Sequence, residues 1–380
     1  MTPEDAARLH RFYAGRLLPC DQRAAFAELE TIFPTRTVSR GASVVAENAA
    51  APGSDTLDGL RFISRGEPCD LYDYVSRNCV VALQVRRAGE GVFEYFSPDL
   101  DPRTRRTSMS MAKSVTSLLV GCAIAQGHIG SLDDPLAFYL PELSGSAYEG
   151  VSVRQLLLMA SGVRWNETYA DPGSDRRRML ELQVAQQPGA IIAYMASLPR
   201  VAEPGAAWNY STGETHVAGA VVAAATGMSL ADYLADRIWS RLGMEANAVW
   251  WLEAPGGLEV AGSGLFATLG DFARLGQFVC DGWLIDGEPL VPADWIAVSG
   301  GCGIVAADRG HYGLMWRPIP GRDGSHADGA FRAGGIFGQY IYVNPAARVV
   351  VTVWSQRSKA LGAEAIDDND FFNAVAEALR

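Results

Sequence analysis

Apolar residues in the first thirty positions recur at near-helical spacing. Ala6, Leu9, Phe12 and Leu17 fall on one stripe, so this stretch is predicted to be helix. Pro34 and Gly41 then punctuate a polar stretch that reaches to about Arg65. From Cys79 the period changes to that of strands. The runs Cys79 to Arg86 and Val92 to Phe96 are joined by Ala88-Gly89-Glu90-Gly91, the signature of a β-hairpin.

From Ser110 the spacing returns to threes and fours. Val115, Leu118, Leu119, Cys122 and Ala123 predict a helix, and Gly127 stands where a C-terminal cap belongs. Helical patterns continue over 153–160, 176–186, 188–197, 215–226, 230–242 and 270–280, with Pro188 suited to the first turn of its segment. The stretch from Ser161 to Ser174 is less regular. Near the end, Gly338 to Val343 and Arg348 to Trp354 read as strands around an Asn344-Pro345-Ala346-Ala347 turn. A last helix is predicted from a cap at Asn369 to Leu379. Strands at both ends of a helical middle imply an α+β fold, with one antiparallel sheet assembled from both ends and an all-helical lobe inserted. The expected division is a sheet lobe over about 1–109 plus 295–380 and a helical lobe over about 110–294, within one domain.

Composition narrows the function classes. At 380 residues and 48% hydrophobic, the chain can bury a large core. A net charge of −11 and a pI near 5.0 argue against nucleic acid or an anionic membrane as partner. The cysteines (20, 69, 79, 122, 280 and 302) form no C-x-x-C pair, and the histidines (10, 128, 216, 311 and 326) show no ligand spacing, so neither a metal nor a cofactor is expected. The acidic start Met1-Thr2-Pro3-Glu4-Asp5 does not resemble a signal peptide, and no apolar run reaches the ~18 residues of a membrane span. A cytoplasmic protein is expected.

Lysine is nearly absent. Lys113 and Lys359 are the only two, and arginine supplies the other 30 of the 32 basic residues. Arginine serves wherever only positive charge is needed, but it cannot give up its proton. Lys113 lies three residues after Ser110, at the start of an apolar helix. A serine nucleophile with a tunable amine one helical turn away is one reading. A helix cap beside a solvated lysine is the other.

Two further segments weigh in. Glu203 to Gly213 turns at Pro204-Gly205 and brings Tyr210 to the entrance of a helix near Glu214. Beside an ammonium, the phenol's pKa is expected to fall, which would let it take a serine proton. In Phe331-Arg332-Ala333-Gly334-Gly335-Ile336, glycines at a strand mark close backbone approach to a ligand. A backbone N–H here, together with that of Ser110, could hold an oxyanion.

Ser-x-x-Lys, a tyrosine about 100 residues later and a small-Gly-Gly segment opening a late strand together resemble the serine β-lactamase/penicillin-binding superfamily. Leu132-Asp133-Asp134-Pro135, Leu140-Pro141-Glu142-Leu143, Val153-Arg154-Gln155-Leu156-Leu157, Ser161-Gly162 and Leu242-Gly243-Met244 extend the likeness, toward its class C-like branch, over nearly the whole chain. Phe33-Pro34-Thr35-Arg36 and Trp165-Asn166-Glu167-Thr168-Tyr169-Ala170-Asp171-Pro172 are similar to the nylon-oligomer (6-aminohexanoate-dimer) hydrolases and related carboxylesterases. The resemblance implies Ser110 as nucleophile, Lys113 tuning it and Tyr210 as general base. It further implies an oxyanion hole from the N–H groups of Ser110 and Ile336, substrate contacts at Gly334 and Gly335, and Tyr169 on an amide leaving group.

The departures are informative. Ala333-Gly334-Gly335 stands where β-lactamases and DD-peptidases carry Lys-Thr-Gly or His-x-Gly, and Thr212 replaces the asparagine two places after the tyrosine. Alternation is expected to point Arg332 to the opposite face. The reading is a serine hydrolase forming an acyl-enzyme on small esters or linear amides such as 6-aminohexanoate oligomers. A β-lactamase or DD-peptidase, and a ligand-binding relative with an inactive site, are the alternatives. A homodimer would fit either enzyme.

Overall fold

The computed structural model describes residues 2–45, 55–300 and 312–380; Cys302 and His311 lie outside the described residues. Val80–Arg87 (β1) and Glu90–Phe96 (β2) form the expected hairpin. With Arg317–Pro318 (β3), Phe331–Gly335 (β4), Gln339–Asn344 (β5) and Val349–Ser355 (β6) they make an antiparallel sheet in the order β3-β4-β5-β6-β1-β2. Strands from the two ends of the chain thus meet at the β6–β1 pair, where Val353 faces Leu83.

The sheet is covered on both faces, and side-chain alternation explains how. Ile341, Val343 and Val350 pack into one apolar cluster, while Tyr340, Tyr342, Val349, Val351 and Val353 pack into another. The helices that matter for the site and for these two faces are Pro3–Tyr13 (α1), Pro19–Ile32 (α2), Met111–Ala125 (α3), Thr212–Thr226 (α4), Leu269–Cys280 (α5) and Asp368–Ala378 (α6). On the first face lies α5, through Phe272, Leu275 and Phe278; on the second lies α6, through Phe371, Phe372 and Val375. Gly276 lets α5 sit close, since a Cβ there would stand 2.6 Å from Val350 and 2.7 Å from Ile341.

A second antiparallel sheet joins Thr35–Val38, Ala248–Trp251, Leu265–Ala267 and Arg106–Thr107. Its last strand delivers the chain to Ser108, whose N–H donates to Leu265 O at 2.7 Å, two residues before Ser110. Helix α3 follows and is buried on every side from Met111 to Ala123, the mark of a central helix.

Several element boundaries differ from the sequence reading. The first thirty residues form two helices, broken where Gly15 adopts φ +61°. Gly189 caps the helix Ala190–Ser197, so Pro188 lies before it rather than in its first turn. Asp367, not Asn369, caps α6 through its side chain. Among the described residues no single helix is long and apolar enough to cross a membrane.

Candidate active site

Ser110 occupies the cap position of α3 without using its hydroxyl as a cap. The preceding Met109 is held at φ +46°, a left-handed conformation that a non-glycine residue adopts at a cost. This turn presents the hydroxyl to a cavity of about 680 Å³ that Ser110, Lys113, Tyr169, Tyr210, Gly334 and Gly335 help to line. Ile336 borders the same space. Each residue to which the resemblance gave a catalytic or substrate-contact role is therefore brought to one place.

Lys113 is almost wholly buried, at 1% exposure, one turn along α3. Its Nζ lies 3.0 Å from Ser110 Oγ, 2.9 Å from Thr212 Oγ1 and 2.9 Å from the carbonyl oxygen of Gly262. Burial lowers its pKa from 10.5 to about 7; Glu167 opposes that shift and Arg176 adds to it. A substantial fraction of Lys113 is then neutral amine at physiological pH.

The partners of that amine decide where its lone pair points. Glu167 receives the Thr212 hydroxyl at 2.5 Å and the Thr212 backbone N–H at 3.0 Å, together with Trp165 Nε1 at 2.5 Å and the Tyr169 hydroxyl at 3.0 Å. Four donors on two oxygens suit an ionised carboxylate. With its proton committed to Glu167, the Thr212 oxygen must accept from Lys113, and the Gly262 carbonyl can only accept. A neutral amine has two N–H groups, and these two acceptors take both. The lone pair is left facing Ser110.

Tyr210 borders the serine from the other side, half-buried between Trp208 and Tyr312. Its ring centroid lies 4.9 Å from Lys113 Nζ. Enclosure in the cavity raises its pKa above 10.0 and Glu167 raises it further, while a hydrogen bond with Ser110 pulls the other way. The expected fall in the phenol's pKa is thus reversed, because desolvation of a phenolate is the largest influence on it.

Across the cavity, the backbone of β4 closes on the start of α3. A Cβ on Gly335 would stand 2.7 Å from Ser108 O and 3.1 Å from Ser110 N, so only glycine permits the approach. Ile336 follows, and Phe337 at φ +63° turns the chain into β5. Among the described residues, neither the Ser110 nor the Ile336 N–H has a hydrogen-bond acceptor.

Sequence reasoning missed Glu167, Gly262 and Arg317. Glu167 sat inside the quoted Trp165 to Pro172 phrase, but a lone glutamate in irregular chain carries no signal of burial. Arg332 is a correction. It does oppose Ala333, yet Ala333 is the residue that faces the core, at 1% exposure, while Arg332 and Gly334 line the cavity. Tyr169 lines the cavity as expected, with its hydroxyl given to Glu167.

Residues 77–372 match the beta-lactamase family, and the chain belongs to that family of serine hydrolases. It is 28% identical, over 85% of its own length and 82% of the other's, to the 6-aminohexanoate-dimer hydrolase of Paenarthrobacter ureafaciens. A Bacillus anthracis structure provisionally named a 6-aminohexanoate-dimer hydrolase superposes with a TM-score of 0.74 at 23% identity, covering 94% of this chain and 92% of that one. A class C β-lactamase mutant superposes with a TM-score of 0.60 at 17% identity, covering 86% and 96%. The α+β fold read from the strand and helix pattern is the fold of these structures.

Proposed function

We propose that this hydrolase cleaves small carboxylic esters or linear amides through an acyl-enzyme on Ser110. The observation that carries the reading is the buried Nζ of Lys113, 3.0 Å from Ser110 Oγ. Lys113 takes the serine proton as Oγ attacks the substrate carbonyl carbon. The N–H groups of Ser110 and Ile336 hold the oxyanion; one such donor is worth about 2.7–4 kcal/mol of barrier. Tyr210, protonated at rest, gives its proton to the departing alkoxide or amine and recovers one from the Lys113 ammonium. Water then attacks the acyl-enzyme and loses a proton to Lys113, which returns it to Ser110 Oγ as the acid is released.

This assignment differs from the sequence expectation in one role. The proton acceptor is Lys113, and Tyr210 acts as the donor. Likeness to a 6-aminohexanoate-dimer hydrolase over 85% of the chain favours linear amides and esters over β-lactams. The 6-aminohexanoate-dimer hydrolase relative makes 6-aminohexanoate dimer the amide to try first.

A fluorophosphonate should add one label, at Ser110, and Ser110→Ala should lose both labelling and turnover of 4-nitrophenyl butyrate. The same assays should include 6-aminohexanoate dimer and nitrocefin. Labelling elsewhere, with activity intact in Ser110→Ala, would overturn the whole reading; faster turnover of nitrocefin than of the ester would replace it with a β-lactamase.

A further inference from the structure

The cavity wall opposite α3 carries a charge arrangement that the chemistry above does not use. Arg317 and Arg332 are directly paired residues on β3 and β4, so their side chains leave the same face of the sheet side by side. Both line the cavity. Like charges directly opposite each other destabilise a strand pair. Native surfaces relieve such a pair with an acid, and here none does: neither arginine has a carboxylate partner among the described residues.

Arg332 is moreover fixed in place. Its guanidinium stacks 4.6 Å from the centre of the Tyr340 ring, and its Nη1 is buried with no hydrogen-bond partner. Asp368, whose pKa feels Arg332, is already engaged by both Nη atoms of Arg357 at 2.9 and 2.5 Å and by the Tyr74 hydroxyl at 2.8 Å. Lys359, the chain's other lysine, also lines this space, with its Nζ held 2.6 Å from the Gly15 carbonyl. Three cations besides Lys113, against the one carboxylate of Glu167, thus border the active-site cavity of a protein whose net charge is −11. Arg332 stands three residues along β4 from Gly335, roughly 10 Å from the strand's contact with Ser110. That is the reach of a short acyl or leaving group.

Resting on the acyl-enzyme reading, we propose that Arg317 and Arg332 form a subsite for a carboxylate on the substrate, so that the favoured esters or linear amides are anionic. A planar guanidinium presents paired donors that match a carboxylate, and the N–H groups of Arg317 and Arg332 that border the cavity supply them. The mutual repulsion of the two arginines is relieved only when the anion is bound.

Two matched ester pairs test this and identify the side that carries the charge. Mono(4-nitrophenyl) glutarate against 4-nitrophenyl butyrate places the carboxylate on the acyl group; 4-acetoxybenzoate against its methyl ester places it on the leaving group. In at least one pair kcat/KM should favour the anionic ester by about tenfold or more, the scale of a charge-assisted hydrogen bond. Added salt should reduce the preference. Arg332→Gln and Arg317→Gln should each lower the anionic-to-neutral ratio by about tenfold. Without ligand, Arg317→Gln should keep or raise Tm, an outcome that a structural role for the arginine would not give. Equal or better turnover of the neutral ester in both pairs, or a ratio unmoved by both variants, would overturn the subsite and leave the hydrolase reading standing. Failure of the wild type on every ester and on 6-aminohexanoate dimer would overturn the hydrolase reading instead. Calorimetry with glutarate would then decide the subsite: binding that is lost in Arg332→Gln supports it, and no binding to the wild type refutes it.

Discussion

At the scale of residues, catalysis in this site is a question of where one lone pair points. Lys113 has three partners and, as a neutral amine, only two protons; Glu167 settles the matter by fixing the Thr212 hydroxyl. Lys113→Arg should therefore be nearly as damaging to kcat as Lys113→Ala, because a guanidinium never offers a lone pair. Thr212→Ser should keep most activity, whereas Thr212→Val should lower kcat by about tenfold or more. The pH profile gives the sign. Below about 7 Lys113 is protonated, so turnover should rise as pH rises through that value. Glu167→Gln removes a charge that raises the Lys113 pKa, so it should move this acidic limb to lower pH while lowering kcat. An acidic limb that stays in place would reduce Glu167 to a structural cap on α4. Ser110, Lys113 and Tyr210 were legible in the sequence because residue chemistry and local spacing mark them. Glu167 was not, since its bond to Thr212 spans 45 residues and depends on how two irregular segments fold together.

At the scale of elements, the site is the gap between the first turn of α3 and the end of β4. The helix was readable, as were the hairpins, because period-two and period-3.6 patterns report which face is buried, whereas the glycines read as opening the late strand instead end a strand of their own, β4. Element ends were read less well. Capping is decided by which side chain reaches an N–H, and Asp367 accepts from Asn369 N at 2.8 Å where the sequence alone suggested Asn369 itself. The direction of Arg332 was misjudged for a related reason. Alternation says that neighbours face opposite ways, but only tertiary packing says which side is the core. The two glycines of β4 allow a test of this geometry. Gly335→Ala would push a methyl group into Ser108 and Ser110 and should lower both Tm and kcat. At Gly334 a new Cβ meets only the Tyr340 ring, at 3.4 Å, so Gly334→Ala should keep the wild-type Tm. Equal loss of stability in the two would show that β4 does not close on α3 as described.

At the scale of the whole molecule, two apolar clusters on the faces of a sheet built from both chain ends surround buried ionisable groups whose desolvation must be offset by packing. That the strands pair across the chain was readable from their order along it; which charges they enclose was not. Arg357 and Asp368 neutralise each other behind the sheet, with Asp368 kept below its usual pKa despite burial. Glu214, in the first turn of α4, has no such cation among the described residues. Its carboxyl is bonded by the Ser161 hydroxyl, its second oxygen has no partner, and burial raises its pKa from 4.5 to about 8. The folded state therefore holds a proton that the unfolded chain releases between those two values. Protonation favours folding fully below about 4.5, and that advantage is lost as pH rises toward 8. Within this window the slope approaches about 1.4 kcal/mol per pH unit for one group. Glu214→Gln removes the titration and keeps a donor and an acceptor of the same size. Other groups titrate equally in both proteins, so the difference in Tm between variant and wild type isolates Glu214. That difference should move in favour of the variant from about pH 5 to about pH 8. A difference that stays flat would mean that Glu214 is ionised in the fold, and that a cation or water satisfies it.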